Sequence, residues 1–142
     1  MSQYYGVGDR TLWNPSNGAS RLFMMQVGIH QAELGLPSGI GPVQDDECEI
    51  DPAVFEVFVA ALLAWHRKNS HAVMAALSEG FVATVLVLAE RAGIALNWPC
   101  ADLAKCGGLN QVQPSRAPGS SDGSWAVSLQ EKSHELGRLM AT

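Results

Sequence analysis

Between residues 73 and 92 almost every position is apolar, and the few polar residues there do not gather on one side. Met74, Leu77, Phe81, Val85 and Leu88 make one stripe at helical spacing, while the opposite face passes through Val82, Ala83 and Leu86. A helix apolar all round must be covered on more than one side. The valine-rich stretch 81–89 could also be drawn as a buried strand, but its flanks (Ala75-Ala76-Leu77-Ser78-Glu79 before, Glu90-Arg91-Ala92-Gly93 after) favour helix. That most apolar run is nine residues long, where a bilayer needs about 20. It reads as a core element and predicts no membrane role.

The other apolar residues fall into shorter patterns. Tyr4–Val7 and Arg10–Trp13 flank Gly8-Asp9, a glycine-first loop suited to a type II′ hairpin. An isolated hairpin is marginal, and the stretch near residues 48–50 is the expected third strand. A first helix is expected from Asn14-Pro15, with Asn14 as cap and Pro15 at the first turn. Phe23, Val27, His30 and Leu34 line its core face and Gly35 stops it. Gly18 and Gly28 weaken this helix, and close packing is the expected reason for them. Asp51-Pro52 is the clearest helix start, followed by Phe55, Phe58, Leu62 and Trp65 on one face. Ser70 is the expected cap of the apolar helix. A last helix over 125–140 carries Leu129, Leu136 and Met140, with a weak Glu135–Arg138 surface pair.

The sum is a single domain over residues 1–142, mainly α. About four helices pack round the central apolar helix (73–92), with a short N-terminal β-hairpin. Residues 99–123, rich in Gly, Pro and Ser, read as an irregular or flexible loop before the C-terminal helix.

Composition narrows the classes of function. The 142 residues are 47% hydrophobic and 16% charged, with a formal net charge of −5. Nine basic residues, scattered and forming no stripe, argue against nucleic acid. The first twenty residues are polar and turn-rich, without the apolar stretch of a secretory signal. Cys48, Cys100 and Cys106 suit a reduced compartment better than a disulfide framework. The expected location is cytoplasmic.

Chemistry is sparse. The run Asp45-Asp46-Glu47-Cys48-Glu49-Ile50-Asp51 fails the calcium-loop pattern, because Ile50 stands where glycine is required. It reads as a solvated approach to the helix at Pro52, or as a surface for a basic partner at Asp45, Asp46 and Glu47. His66 and His71 are five apart with two cations between them, unlike the four-residue spacing of zinc helices. Cys100 and Cys106 have no second pair. Neither a metal nor a cofactor is called for. His30 falls on an apolar stripe, where a core histidine with one satisfied hydrogen bond is the ordinary reading and a base lining a pocket the alternative. His30 and His66 are the only catalytic candidates. The N-terminal block offers Asp9 and Arg10 as polar groups and Trp13 as flat apolar area for recognition.

The blocks Val7-Gly8-Asp9-Arg10-Thr11-Leu12-Trp13-Asn14-Pro15-Ser16-Asn17, Leu36-Pro37-Ser38-Gly39, Asp46-Glu47-Cys48-Glu49-Ile50-Asp51-Pro52 and Glu79-Gly80-Phe81-Val82-Ala83-Thr84-Val85-Leu86-Val87-Leu88 occur together. In that combination the chain resembles a family of small actinobacterial proteins classed as a domain of unknown function. The resemblance covers about residues 2–95. It implies an intracellular actinobacterial protein, and no activity, cofactor or catalytic residue.

Two readings of function follow. The first is a non-catalytic helical module that recognises a protein partner, immunity- or antitoxin-like; a homodimer, in which the last helix or the excess apolar surface of the helix from Pro52 packs against a copy, is a further possibility. The second is a small enzyme or ligand-binding protein of specialised metabolism, with a small molecule in a pocket between the helices where His30, His66, Asp9 or Arg10 converge.

Overall fold

The structure, a computed structural model, describes residues 2–69, 71–96 and 124–142. The expected loop at 99–123, with Ser70, Cys100 and Cys106, lies outside the described residues.

Alternation at the N-terminus produces the expected hairpin, β1 (Tyr4–Val7) and β2 (Arg10–Trp13), joined through Gly8 at φ 55°. A bulge interrupts the pairing between Tyr5 and Gly6, so that Tyr5 faces Trp13 while Gly6 faces Thr11. The extra residue lets Leu12 and Trp13, adjacent in sequence, both turn into the core. Glycine is required at position 6, because a Cβ there would lie 2.8 Å from the Arg10 carbonyl oxygen. A third strand, β3 (Glu47–Glu49), adds parallel to β1 and gives the order β2-β1-β3. The long connection between β1 and β3 supplies the crossover that a parallel pair needs.

Helix α1 (Asn17–Leu34) starts two residues later than the Asn14 reading. Its cap is Ser16, whose hydroxyl accepts from the Ala19 amide, and the Asn14 amide instead donates to the Ala141 carbonyl at 2.8 Å. Gly35 ends it in the left-handed conformation. Gly18 and Gly28 are not close-packed: nothing lies within 4 Å of a Cβ at either. Helix α2 (Pro52–Lys68) begins as expected, with the Asp51 carboxylate accepting from the Ala53 and Val54 amides. Helix α3 (Ala72–Arg91) has His71 at its N-cap with no side-chain bond. Helix α4 (Ser124–Leu139) buries Ala126 and Leu129. The ion pair on α4 is Lys132–Glu135 at 4.0 Å, not Glu135–Arg138.

The elements meet on α3. Its C-terminal half is enclosed: Val82, Ala83, Val85, Leu86, Leu88 and Ala89 are almost fully buried, beneath α2 on one side and α4 on another. An aromatic series ties the sheet to the helices. Tyr5 meets Trp13 at 5.4 Å, Trp13 meets Phe23 edge-on at 5.4 Å, and Phe23 meets Phe81 at 5.6 Å. Each such pair adds about 0.5–1.5 kcal/mol beyond its buried area. Arg91, at the end of α3, closes the assembly. Its guanidinium donates to the Leu12 carbonyl at 2.6 Å and to those of Gly137 and Met140 at 2.8 and 2.9 Å. A cation thus sits at the negative end of α4.

By length and composition α3 would suffice to cross a bilayer, but half of that window is buried within the protein, as in a core helix.

Candidate functional site

The period of two along the strands decides which side chains leave the core. Tyr5 and Cys48 point inward, leaving Tyr4, Glu47 and Glu49 outside. The parallel register sets Tyr4 opposite Glu47 and Gly6 opposite Glu49, so all four positions share one face. Thr11, opposite Gly6 on the other side, is exposed as well. These residues floor a shallow depression of about 570 Å³, bounded at the hairpin end by Asp9 and Arg10. A second groove of about 930 Å³ adjoins it, sharing Gly8, Glu47 and Glu49 and adding Asp45 and Asp51.

The pairing of β1 with β3 therefore brings two distant parts of the chain together. Asp9 and Arg10 line the same depression as Glu47, and Asp45 lines the next. The surface is strongly acidic, with Arg10 as the one cation among these lining residues. Asp45 and Asp46 also have a local reason to be there. Both have positive φ (50° and 65°), and Gln44 and Glu47 exchange both backbone hydrogen bonds at 2.8 Å around them. This is a two-residue hairpin loop that demands left-handed residues, which aspartate tolerates. The Asp46 carbonyl accepts from the Tyr4 amide at 2.8 Å and so fastens the acidic turn to β1.

The other sequence candidates lie elsewhere. Trp13 is 8% exposed, inside the aromatic series, and its flat area is spent on packing. His30 is stacked on Phe81 at 4.1 Å and 17°, with the edge of Trp65 at 5.6 Å. Its Nδ1–H donates to the Gln26 carbonyl at 2.7 Å. His66 is buried between α2, α3 and α4. Its Nδ1–H donates to the Ser78 hydroxyl at 3.3 Å, and that hydroxyl in turn donates to the Met74 carbonyl at 2.9 Å. Burial pushes the His66 pKa down, and the Glu79 carboxylate opposes this in part. Neither histidine approaches Asp9 or Arg10 on the outer face of the sheet. Among the described residues, no three His, Cys, Asp or Glu side chains gather as a metal site.

Beneath the acidic face the supports are inert. The Cys48 thiol donates to the Gly41 carbonyl at 3.1 Å, and burial pushes its pKa up to about 11. The Tyr5 hydroxyl donates to Ser20 Oγ at 2.6 Å, and Ser20 donates on to Gln3 Oε1. Burial raises the Tyr5 pKa. Sequence reasoning missed Tyr4 and Glu49 as members of the face. The i, i+2 spacing of Glu47 and Glu49 about Cys48 was the available signal for one, but nothing local marks Tyr4.

The model of a family of unknown function, DUF6086, matches residues 1–142. The chain belongs to the DUF6086 family. The DUF6086 match continues past residue 99, so membership extends beyond the blocks within 2–95 that carry the resemblance. No curated protein and no solved structure matches this DUF6086 chain significantly.

Proposed function

We propose that this DUF6086 domain is a non-catalytic protein-recognition module whose outer sheet face takes a basic segment of a partner protein. The observation that carries the reading is the β1–β3 register. It sets Tyr4, 46% exposed, beside Glu47 and Glu49, with Asp9 and Asp45 at the margins. Carboxylates around a tyrosine ring suit lysine or arginine, by ion pairing at the rim and a cation over the ring. The face is shallow and open, which fits a protein surface better than an enclosed small molecule. An immunity- or antitoxin-type role, masking a basic partner in an actinobacterial cytoplasm, is the form we favour. The free, buried thiol of Cys48 is compatible with that compartment.

Affinity capture from the source organism tests this. The wild-type domain is expected to retain one specific partner, and Glu47→Lys/Glu49→Lys to lose it without losing its fold. Recovery of no specific partner, or equal recovery by both proteins, would overturn the reading.

One observation favours a second reading, a small-molecule ligand. A groove of about 540 Å³ runs between α2 and residues 94–96, walled by Val59, Leu63, Ile94 and Leu96, with Arg67 and Lys68 also lining it. Glu56 lines it too, and with two cations to one carboxylate the lining suits an amphipathic anion. Native mass spectrometry of the domain from its own host, showing a co-purifying small acid, would support this reading over the first.

A further inference from the structure

We propose that the groove along α2 is the seam of a two-fold homodimer, in which α2 packs antiparallel against α2 of a second copy. Val59 and Leu63, both buried, form the floor of the groove, Ile94 and Leu96 line its far wall, and Glu56 and Arg67 stand at its two ends. Glu56 and Arg67 are exposed, and among the described residues neither makes an ion pair within the chain. On the solvent side of the groove the exposed surface of α2 continues through Ala60, Ala64 and Val57, the last 59% exposed. The spacings from 57 to 60 to 64 are those of a helix seam.

Charge selects a second copy as the occupant. Glu56 and Arg67 are eleven residues apart, which is about 16 Å along the axis and almost a whole number of turns. The two therefore lie within about 20° of each other, on the same flank of α2. Ala60 is about 20–40° further round, toward solvent. A two-fold axis normal to the plane of the pair reverses the helix but brings each flank beside its own copy. Glu56 then stands level with Arg67 of the copy, twice over, and Ala60 falls within one residue of level with Ala64. Lys68, on the other flank, arrives near Val57 of the copy, where its stem covers apolar surface. A parallel copy would set Glu56 against Glu56. A small acid would answer the cations and leave Glu56 without a partner, whereas a second copy answers both ends of the groove.

A standard interface buries roughly 800 Å² per partner. One helix pair with residues 94–96 beside it is smaller than that, so dissociation in the micromolar range is expected.

The dimer does not involve the acidic sheet face. Sedimentation mass across roughly 1–300 µM tests it, a range that brackets dissociation constants of that order. The wild-type mass is expected to rise with concentration from 15.2 kDa toward twice that value. Ala64→Glu puts a carboxylate on the seam and leaves the core untouched. It is expected to stay at the single-chain mass with unchanged helical circular dichroism. Glu56→Arg and Arg67→Glu should each weaken the dimer roughly three- to thirtyfold, two pairs being lost at once, and the double swap should restore it. Glu47→Lys/Glu49→Lys should leave the mass curve unaltered. A wild type at the single-chain mass throughout the range, with or without a bound small acid, would overturn the proposal. So would an Ala64→Glu protein that still dimerises, or a double swap weaker than either single change.

Discussion

A histidine inside an apolar contact gives up either its charge or its burial, and His66 keeps the burial. It is 6% exposed, faced by Ser78 and Glu79 from α3 and by the edge of Trp125 from α4 at 5.9 Å. Desolvation holds its folded pKa below the ordinary 6.5. Above 6.5 the ring is neutral in both states and its contribution to stability is complete. As the pH falls through 6.5 toward the folded value, the unfolded chain takes up a proton that the folded chain resists. Stability then declines, by at most about 1.4 kcal/mol per pH unit from this one group. Urea unfolding at pH 7, 6 and 5 is expected to show that decline, and His66→Gln to flatten it. An unchanged slope in the variant would mean that His66 is not the group responsible.

At the scale of elements, Arg91 is the connection whose loss should be felt most. Its guanidinium serves carbonyls on β2 and at the end of α4 at once. Arg91→Met retains the aliphatic stem but strips three acceptors of a charged donor. The cost is expected near 2–4 kcal/mol, with Arg91→Lys recovering only part because an ammonium lacks the planar fork. Denaturant midpoints of the three proteins measure this. Elements governed by neighbouring residues were legible in the sequence. Asp51-Pro52 gave away the start of α2, Gly8-Asp9 the hairpin, and the unbroken apolar run the position of α3. Features that depend on distant partners were not. The hydrogen bonds of Arg91 reach back to Leu12, Trp13 turns inward because of a bulge at Gly6, and the Asn14 amide is held by Ala141, which leaves Ser16 to cap α1. The same limit hid half of the candidate site. Asp9, Arg10 and the acidic run stood out separately, but only the parallel β1–β3 pairing makes them neighbours and recruits Tyr4 and Glu49.

For the whole molecule, the consequence of the apolar helix is uneven cover. The sheet, α2 and α4 enclose the C-terminal half of α3, while Val73, Met74 and Leu77 at its start remain in solvent. Leu22, Met25 and Ile29 on α1 are exposed as well. The three-stranded sheet presents a separate, acidic surface built from both ends of the first fifty residues.

Hydrogen exchange of the domain alone and with its captured partner tests the recognition face most directly. New protection is expected in Tyr4–Val7, Arg10–Trp13 and the turn at Asp45-Asp46, with residues 94–96 and the adjoining face of α2 unchanged. Protection confined to 94–96 and α2, with the strands exchanging as before, would contradict the account.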